Sequence, residues 1–187
     1  MARRDLTLAM VSGVIWTLYN VAYILVVSFT PALLAASGRD AAEAAMAASL
    51  ATWGLMLTIP AGGVLADRTG RAHLILVGGL LAMALAMSLI LATASTLAML
   101  TVFGLLAGIP GGIIAALPGR ALSAHARHLG MGIFFTLYYV GMALLPPLAG
   151  WLGDFTGRQA APLGFGAALL VIAVALAFVF RRVERGG

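Results

Sequence analysis

The sequence has 187 residues, of which 63% are hydrophobic and 9% are charged, and its mean hydropathy is +1.08. Soluble domains carry about 25% charged residues, so this composition indicates a membrane protein and excludes a soluble domain. The chain has no cysteine, which excludes disulfides, thiolate metal sites and a catalytic thiol. The net charge of +5 reflects eleven arginines in loops and tails, so we expect no nucleic acid as a partner.

Six apolar stretches along the chain are long enough to cross a membrane. A bilayer core of about 30 Å needs about 20 apolar residues per helix. Short segments with glycine, proline and charged residues separate the stretches. We therefore predict an all-α membrane protein in which residues 1–187 form a single transmembrane domain. Its six spans cover residues 7–29, 43–66, 73–93, 97–117, 131–152 and 162–180.

The first span carries a polar and aromatic stripe. Trp16, Tyr19, Asn20 and Tyr23 are spaced i, i+3, i+4 and i+7, so they share one helical face. They lie near the middle of the span, whereas tryptophan and tyrosine usually concentrate at the membrane interface. Asn20 is the only asparagine, and an amide at this depth needs a polar partner or water. The stripe either lines a polar cavity, or Asn20 joins two helices.

A polar cavity in a membrane bundle is a place where a solute can bind. The stripe and two further aromatic residues, one in the second span and one in the fifth, are the candidate substrate-binding residues. They are Trp16, Tyr19, Asn20, Tyr23, Trp53 and Tyr138.

A repeated twelve-residue motif, which we call the repeated phrase, ends both the second span and the fifth span. Residues 60–71 are PAGGVLADRTGR and residues 147–158 are PLAGWLGDFTGR, with seven of twelve positions identical. The copies are three spans apart, so they lie on opposite sides of the membrane. A weaker similarity links PALLAASGR at 31–39 with IIAALPGR at 113–120, after the first and fourth spans. We therefore predict that the six helices form an inverted 3+3 repeat.

The fourth span has glycines at positions 104, 108 and 112, a spacing that allows close approach of a neighbouring helix. Within all six spans, no aspartate, glutamate, arginine or lysine lies deep in the membrane. The sequence also has no Ser/His/Asp set, phosphate-binding loop or pair of carboxylates typical of a catalytic site. We therefore expect no enzymatic activity, no metal and no cofactor.

The arginines predict the orientation. Nine of the eleven lie on the side that holds both termini, and cytoplasmic segments are enriched in positive charge. Both termini are therefore expected in the cytoplasm. Arginine without lysine, together with abundant alanine and glycine, suggests a GC-rich bacterial genome, so we expect a multi-pass protein of the bacterial inner membrane.

The first copy of the repeated phrase resembles a family motif. G-x-L-x-D-R-x-G-R, from Gly63 to Arg71, is similar to the loop motif of the major facilitator superfamily. In that family the motif joins the second and third helices of each six-helix half, on the cytoplasmic side. R-x-x-G-M-G from Arg127 to Gly132 resembles the start of the family's fifth helix, and G-x-L-x-D-x-T-G ending at Gly157 resembles its outer end.

Members of the resembled family normally have twelve spans, so the resemblance implies that this chain is one half, most like the C-terminal half. It also implies that the motif is a latch that closes the cytoplasmic side. In the first copy, Asp67 can pair with Arg71 as part of such a latch. The alternative to a latch is a simple turn whose charges are solvated. We favour the latch in the first copy and the turn in the second. The candidate gating residues are Gly63, Asp67, Arg68, Gly70, Arg71, Asp154 and Arg158.

The expected function is transmembrane transport of a small organic solute by an alternating-access carrier. This chain would pair with a second six-helix half, either as a homodimer or with a separate chain. Its other partners would be membrane lipid and the small-molecule substrate. The alternative is a non-transporting accessory or assembly protein, or a truncated transporter fragment.

Overall fold

The computed structural model describes residues 1–36, 38–92 and 96–186. These described residues form six helices, and each is long and apolar enough to cross a membrane. The predicted number of spans is confirmed, but the helices extend beyond several of the predicted limits, and prolines such as Pro31 lie inside them without ending them. Their bounds are α1 Arg3–Ala36, α2 Ala41–Thr69, α3 Ala72–Ala92, α4 Thr96–Ala121, α5 Arg127–Thr156 and α6 Ala161–Arg185.

The repeated phrase forms the same helix end twice. Gly70 after α2 has φ 65° and Gly157 after α5 has φ 63°, a left-handed conformation that glycine adopts without steric cost. In the last turn of each helix, a threonine hydroxyl donates to the leucine carbonyl four residues earlier, at 2.7 Å in both copies. The shared Leu-x-x-x-Thr-Gly sequence is thus a local signal that ends a transmembrane helix.

The packing of the helices supports the predicted repeat. Helix α2 packs mainly on α4, and α5, its counterpart in the second half, packs mainly on α1. The contacts between α1 and α6 are likewise matched by contacts between α4 and α3. Gly54 and Gly141 are 87 residues apart, as are the two phrases, and each touches the helix on which its own helix packs. An inverted 3+3 repeat requires this pairing.

Glycines bring the backbones of α2 and α4 into direct contact. A Cβ atom added to Gly104 would lie 2.2 Å from the carbonyl oxygen of Ala51. One added to Gly62 on the facing helix would lie 2.0 Å from the carbonyl oxygen of Ile109. Neither space accommodates any side chain, so the prediction of close approach along α4 is confirmed.

Burial is uneven among the helices. In the most apolar stretch of each helix, 56% of α1 but only 17% of α2 and 11% of α5 is buried. Large apolar side chains therefore lie exposed along α2 and α5. They include Trp53, Met56, Leu57, Tyr139, Val140, Leu144 and Trp151. These two faces must meet either lipid or another protein.

Both termini lie at one end of the bundle, which we call the termini end. The guanidinium of Arg4 donates to the backbone carbonyl of Glu184 at 3.0 Å. Asp5 accepts a hydrogen bond from the Ser123 hydroxyl at 2.8 Å, which ties the start of α1 to the loop after α4. Nine of the eleven arginines lie at this end, and Arg39 and Arg158 lie at the opposite end.

Candidate functional site

The polar stripe of α1 lies between α2 and α5. On one side, the Tyr23 hydroxyl donates to Thr52 Oγ1 of α2 at 3.1 Å. On the other side, the Trp16 ring lies 6.0 Å from the ring of Phe134 and 6.2 Å from that of Tyr138, both on α5. The stripe therefore occupies the face of α1 that is flanked by the two most exposed helices.

Within the stripe, Tyr19 differs from its neighbours because it is buried. Its side chain is 3% exposed, stacks on Trp16 at 5.6 Å and donates from its hydroxyl to the Ala107 carbonyl of α4 at 2.9 Å. The absence of a side chain at Gly111 makes room for this hydroxyl, since a Cβ there would lie 2.5 Å from it. Tyr19 thus holds α1 against α4, and its role in substrate binding stays a prediction.

Asn20 is half-buried and bonds within its own helix. Its amide nitrogen donates to the carbonyl of Trp16 at 2.8 Å. Among the residues that the structure describes, Asn20 forms no hydrogen bond to another helix. The arrangement therefore favours the cavity over the interhelical link, the two interpretations that the sequence left open. Trp16, Asn20 and Tyr23 are all partly exposed, so each presents polar or aromatic surface between α2 and α5.

The other two candidate binding residues are in different surroundings. Tyr138 is half-buried and belongs to a ring cluster with Trp16 and Tyr139. Trp53 is 66% exposed on the outer surface of α2, and none of the ring contacts between described residues joins it to that cluster. Its participation in a binding site therefore requires a partner that covers α2. Phe134 of α5 is buried, and its ring stacks on that of Trp16.

The gating motif contains an ion pair with an unexpected partner. Asp67 pairs with Arg120 at 2.5 Å, so the expected pairing with Arg71 is wrong. Asp67 lies in the last turn of α2 and Arg120 lies in the last turn of α4, and these two helices are in close contact. Gly70 reverses the chain direction before Arg71, which instead lines a cavity beside α3 and α6. Gly63 lies one turn before Asp67 in α2, and Arg68 follows Asp67 but belongs to none of the salt bridges between described residues.

The second copy of the motif has no such ion pair. Asp154 lines an open cavity of about 350 Å³ at the opposite end of the bundle, between α1 and α5. The salt bridges formed by described residues are Asp67 with Arg120 and Glu43 with Arg39, so Asp154 and Arg158 belong to neither. The two copies thus end their helices in the same way, but the aspartate is in a salt bridge only in the first copy.

The sequence analysis missed two contacts at the termini end. Asp5 is buried and accepts hydrogen bonds from the backbone and hydroxyl of Ser123, which lies 118 residues away. No local pattern links these positions. Arg120 had a signal, since it ends the IIAALPGR segment that resembles the end of the first span. Within the described part of the chain, no cluster of three or more potential ligands could hold a metal ion.

A model of the Major Facilitator Superfamily matches residues 7–187. No curated protein and no solved structure matches the chain. The family match covers all six helices, the polar stripe of α1 and both copies of the motif. The chain therefore belongs to the major facilitator superfamily and is a multi-pass membrane protein of that family of transporters.

Proposed function

We propose that this bundle transports a small organic solute by alternating access and works as one half of a carrier, paired with a second six-helix half. A transporter of the major facilitator type follows from the family. The observation that carries the finer proposal is the half-exposed stripe of Trp16, Asn20 and Tyr23 between α2 and α5. It offers a solute-binding surface on the one side of the bundle that a partner could complete.

The chemistry of the stripe narrows the class of substrate. The stripe presents aromatic rings, a tyrosine hydroxyl and an amide. None of its four residues carries a charge. Such a surface suits a small neutral, amphipathic or weakly anionic organic molecule. The direct test is a thermal-shift screen of the purified protein against metabolites and drugs, followed by uptake of each hit into proteoliposomes. Hits that bind but are not taken up would favour the non-transporting alternative.

Replacing Asn20 with alanine should weaken binding of a hit by up to about tenfold, the loss expected for one neutral hydrogen bond in a site shielded from water. The unfolding temperature should change little because the amide bonds only to Trp16 of its own helix. Thr101→Ala is the matched control, since the Thr101 hydroxyl donates in the same way to the Leu97 carbonyl within α4. Equal affinities of the two variants for the hit would argue against the stripe as the binding surface.

Exposure of the stripe supports the pairing with a second half. In an isolated bundle, the amide oxygen of Asn20, whose nitrogen already donates to the Trp16 carbonyl, would face hydrocarbon, where a polar group without a partner costs on the order of several kcal/mol. A second half placed against α2 and α5 would cover the stripe, Trp53 and the apolar residues around it. The nine-to-two distribution of arginines favours the same orientation for both halves, with both termini in the cytoplasm of a bacterial cell.

Single cysteines test this pairing cleanly because the chain has none of its own. Cysteine at Leu57 of α2 or Leu144 of α5 should crosslink to a partner in membranes treated with a bifunctional maleimide. The control is cysteine at Leu85 of α3, which is as exposed as Leu144 but lies outside the proposed interface. The mass of the adduct distinguishes a second copy from a separate chain. Crosslinking at Leu85 as strong as at Leu57 and Leu144, or a monomer in nanodiscs, would contradict the pairing.

Alternating access also requires that the two ends of the bundle close in turn. The ion pair of Asp67 and Arg120 holds α2 against α4 at the termini end. The repeat places Asp154 and Arg39 at the corresponding positions of the opposite end, where Arg39 pairs with Glu43 instead. The proposal is that Arg39 exchanges Glu43 for Asp154 when the opposite end closes, while the pair at the termini end opens.

A further inference from the structure

A basic cavity lies at the termini end between α3 and α6, away from the proposed solute pathway. Its volume is about 500 Å³, and Arg71, His73, Arg181 and Arg185 line it. A second cavity of about 320 Å³ adjoins it, lined by Phe178 and by Arg181, Arg182 and Arg185. Helix α6 thus contributes three arginines from its last two turns, and the loop before α3 contributes the fourth.

The charges of these arginines are not balanced by the protein. Among the described residues that line the two cavities, Glu184 is the one carboxylate, so four arginines and one glutamate leave an excess of three positive charges. The salt bridges between described residues lie elsewhere, on Asp67 and Glu43. Guanidinium groups gathered in this way bind phosphate with paired hydrogen bonds.

His73 lies beside these arginines at the start of α3. Its Nε2 atom is buried, and none of the described residues forms a hydrogen bond with it. The ring is held edge-on against Phe178 with the two centroids 5.0 Å apart. The residue lies in the first turn of α3, where the free backbone N–H groups of the helix add to the positive potential. This helix end therefore adds to the attraction that the arginines exert on an anion.

The apolar surface beside the cavity indicates where the ligand comes from. Leu74, in the first turn of α3, lines the larger cavity and is 64% exposed. Farther along the same two helices, Leu81, Leu85, Ile172 and Phe178 are also exposed. Because these side chains lie on helices away from α2 and α5, they face the acyl chains of the surrounding lipid. The cavity therefore lies at headgroup level beside the hydrocarbon of the bilayer.

We propose that this cavity binds the phosphodiester headgroup of an anionic phospholipid, such as phosphatidylglycerol. Arg71, Arg181 and Arg185 contact the phosphate oxygens beside the first turn of α3. The acyl chains lie along the exposed apolar residues of α3 and α6. The proposal is independent of the solute pathway and of the second half.

The test compares lipids in mild detergent and uses the thermal unfolding midpoint of the whole chain as the readout. Phosphatidylglycerol should raise the midpoint of the unmodified protein, whereas phosphatidylcholine and inorganic phosphate should not. The double variant Arg181→Gln, Arg185→Gln should bind phosphatidylglycerol at least about tenfold more weakly, because two charge-assisted contacts are lost. The matched control is Arg3→Gln, Arg127→Gln, which removes the same charge at the same end but outside the cavity; its affinity should be unchanged.

Three results would overturn the proposal. Equal weakening in both double variants would show a diffuse attraction to nine arginines, and equal effects of the two lipids would show no headgroup selectivity. Stabilisation by inorganic phosphate alone would assign the cavity to a free anion. If the first double variant does not fold, native mass spectrometry of the unmodified protein and of Arg185→Gln replaces it. Phosphatidylglycerol should then remain bound to the unmodified protein and be reduced in the single variant.

Discussion

Replacing Gly104 with alanine should destabilise the bundle by about 2–3 kcal/mol, at the upper end of what one added methyl group costs in a packed core. The new Cβ would lie 2.2 Å from the carbonyl oxygen of Ala51, which belongs to the backbone and cannot rotate away. Helices α2 and α4 would have to separate. Adding Gly62→Ala, whose Cβ would lie 2.0 Å from the Ile109 carbonyl, should abolish a monodisperse folded protein. Thermal unfolding in detergent and gel filtration measure both effects.

The control for this prediction is Gly78→Ala in α3. A Cβ at Gly78 has no neighbouring atom within 4 Å, so it adds helix propensity without a clash. This variant should unfold at the same temperature as the unmodified protein or slightly above it. If Gly104→Ala were as stable as Gly78→Ala, the close contact between α2 and α4 would be wrong.

Asp67→Asn should open the termini end of the bundle. The pair with Arg120 is more than half exposed, and exposed pairs contribute about 0–1 kcal/mol, so its loss should shift the population of open molecules by up to about fivefold. A cysteine at Ala66 reports the opening, because Ala66 is 3% exposed and lies one turn from Gly62 on the face of α2 that packs on α4. The rate of its reaction with a thiol reagent should rise by that factor.

Two further variants decide whether the ion pair is responsible. The swap Asp67→Arg with Arg120→Asp restores an ion pair of reversed polarity and should restore slow labelling of the cysteine. Asp154→Asn should not accelerate the labelling, because Asp154 lies at the opposite end and its proposed pair with Arg39 favours the state in which the termini end is open. Equal acceleration by Asp67→Asn and Asp154→Asn would contradict a latch formed by Asp67 and Arg120.

The sequence by itself determined the features that depend on a short stretch of chain. Six apolar stretches predicted six helices because the length of a span follows from the thickness of the bilayer. The repeated phrase predicted two matching segments, and both end a helix on a left-handed glycine, at Gly70 and Gly157. Glycines at spacing four along α4 predicted a close helix contact, because a helix face without side chains lets a neighbouring backbone approach.

Only the tertiary structure decided which side chains meet. Lipid tails are as apolar as the side chains of a helix, so an apolar pattern does not reveal which face of a membrane helix is buried. The residues of the α1 stripe therefore differ in burial in a way that their spacing did not predict. Tyr19 packs against α4, whereas Asn20 is half-exposed. For the same reason the partner of Asp67 was Arg120, 53 residues away, because the contact between α2 and α4 and not the spacing within the motif brings the two charges together.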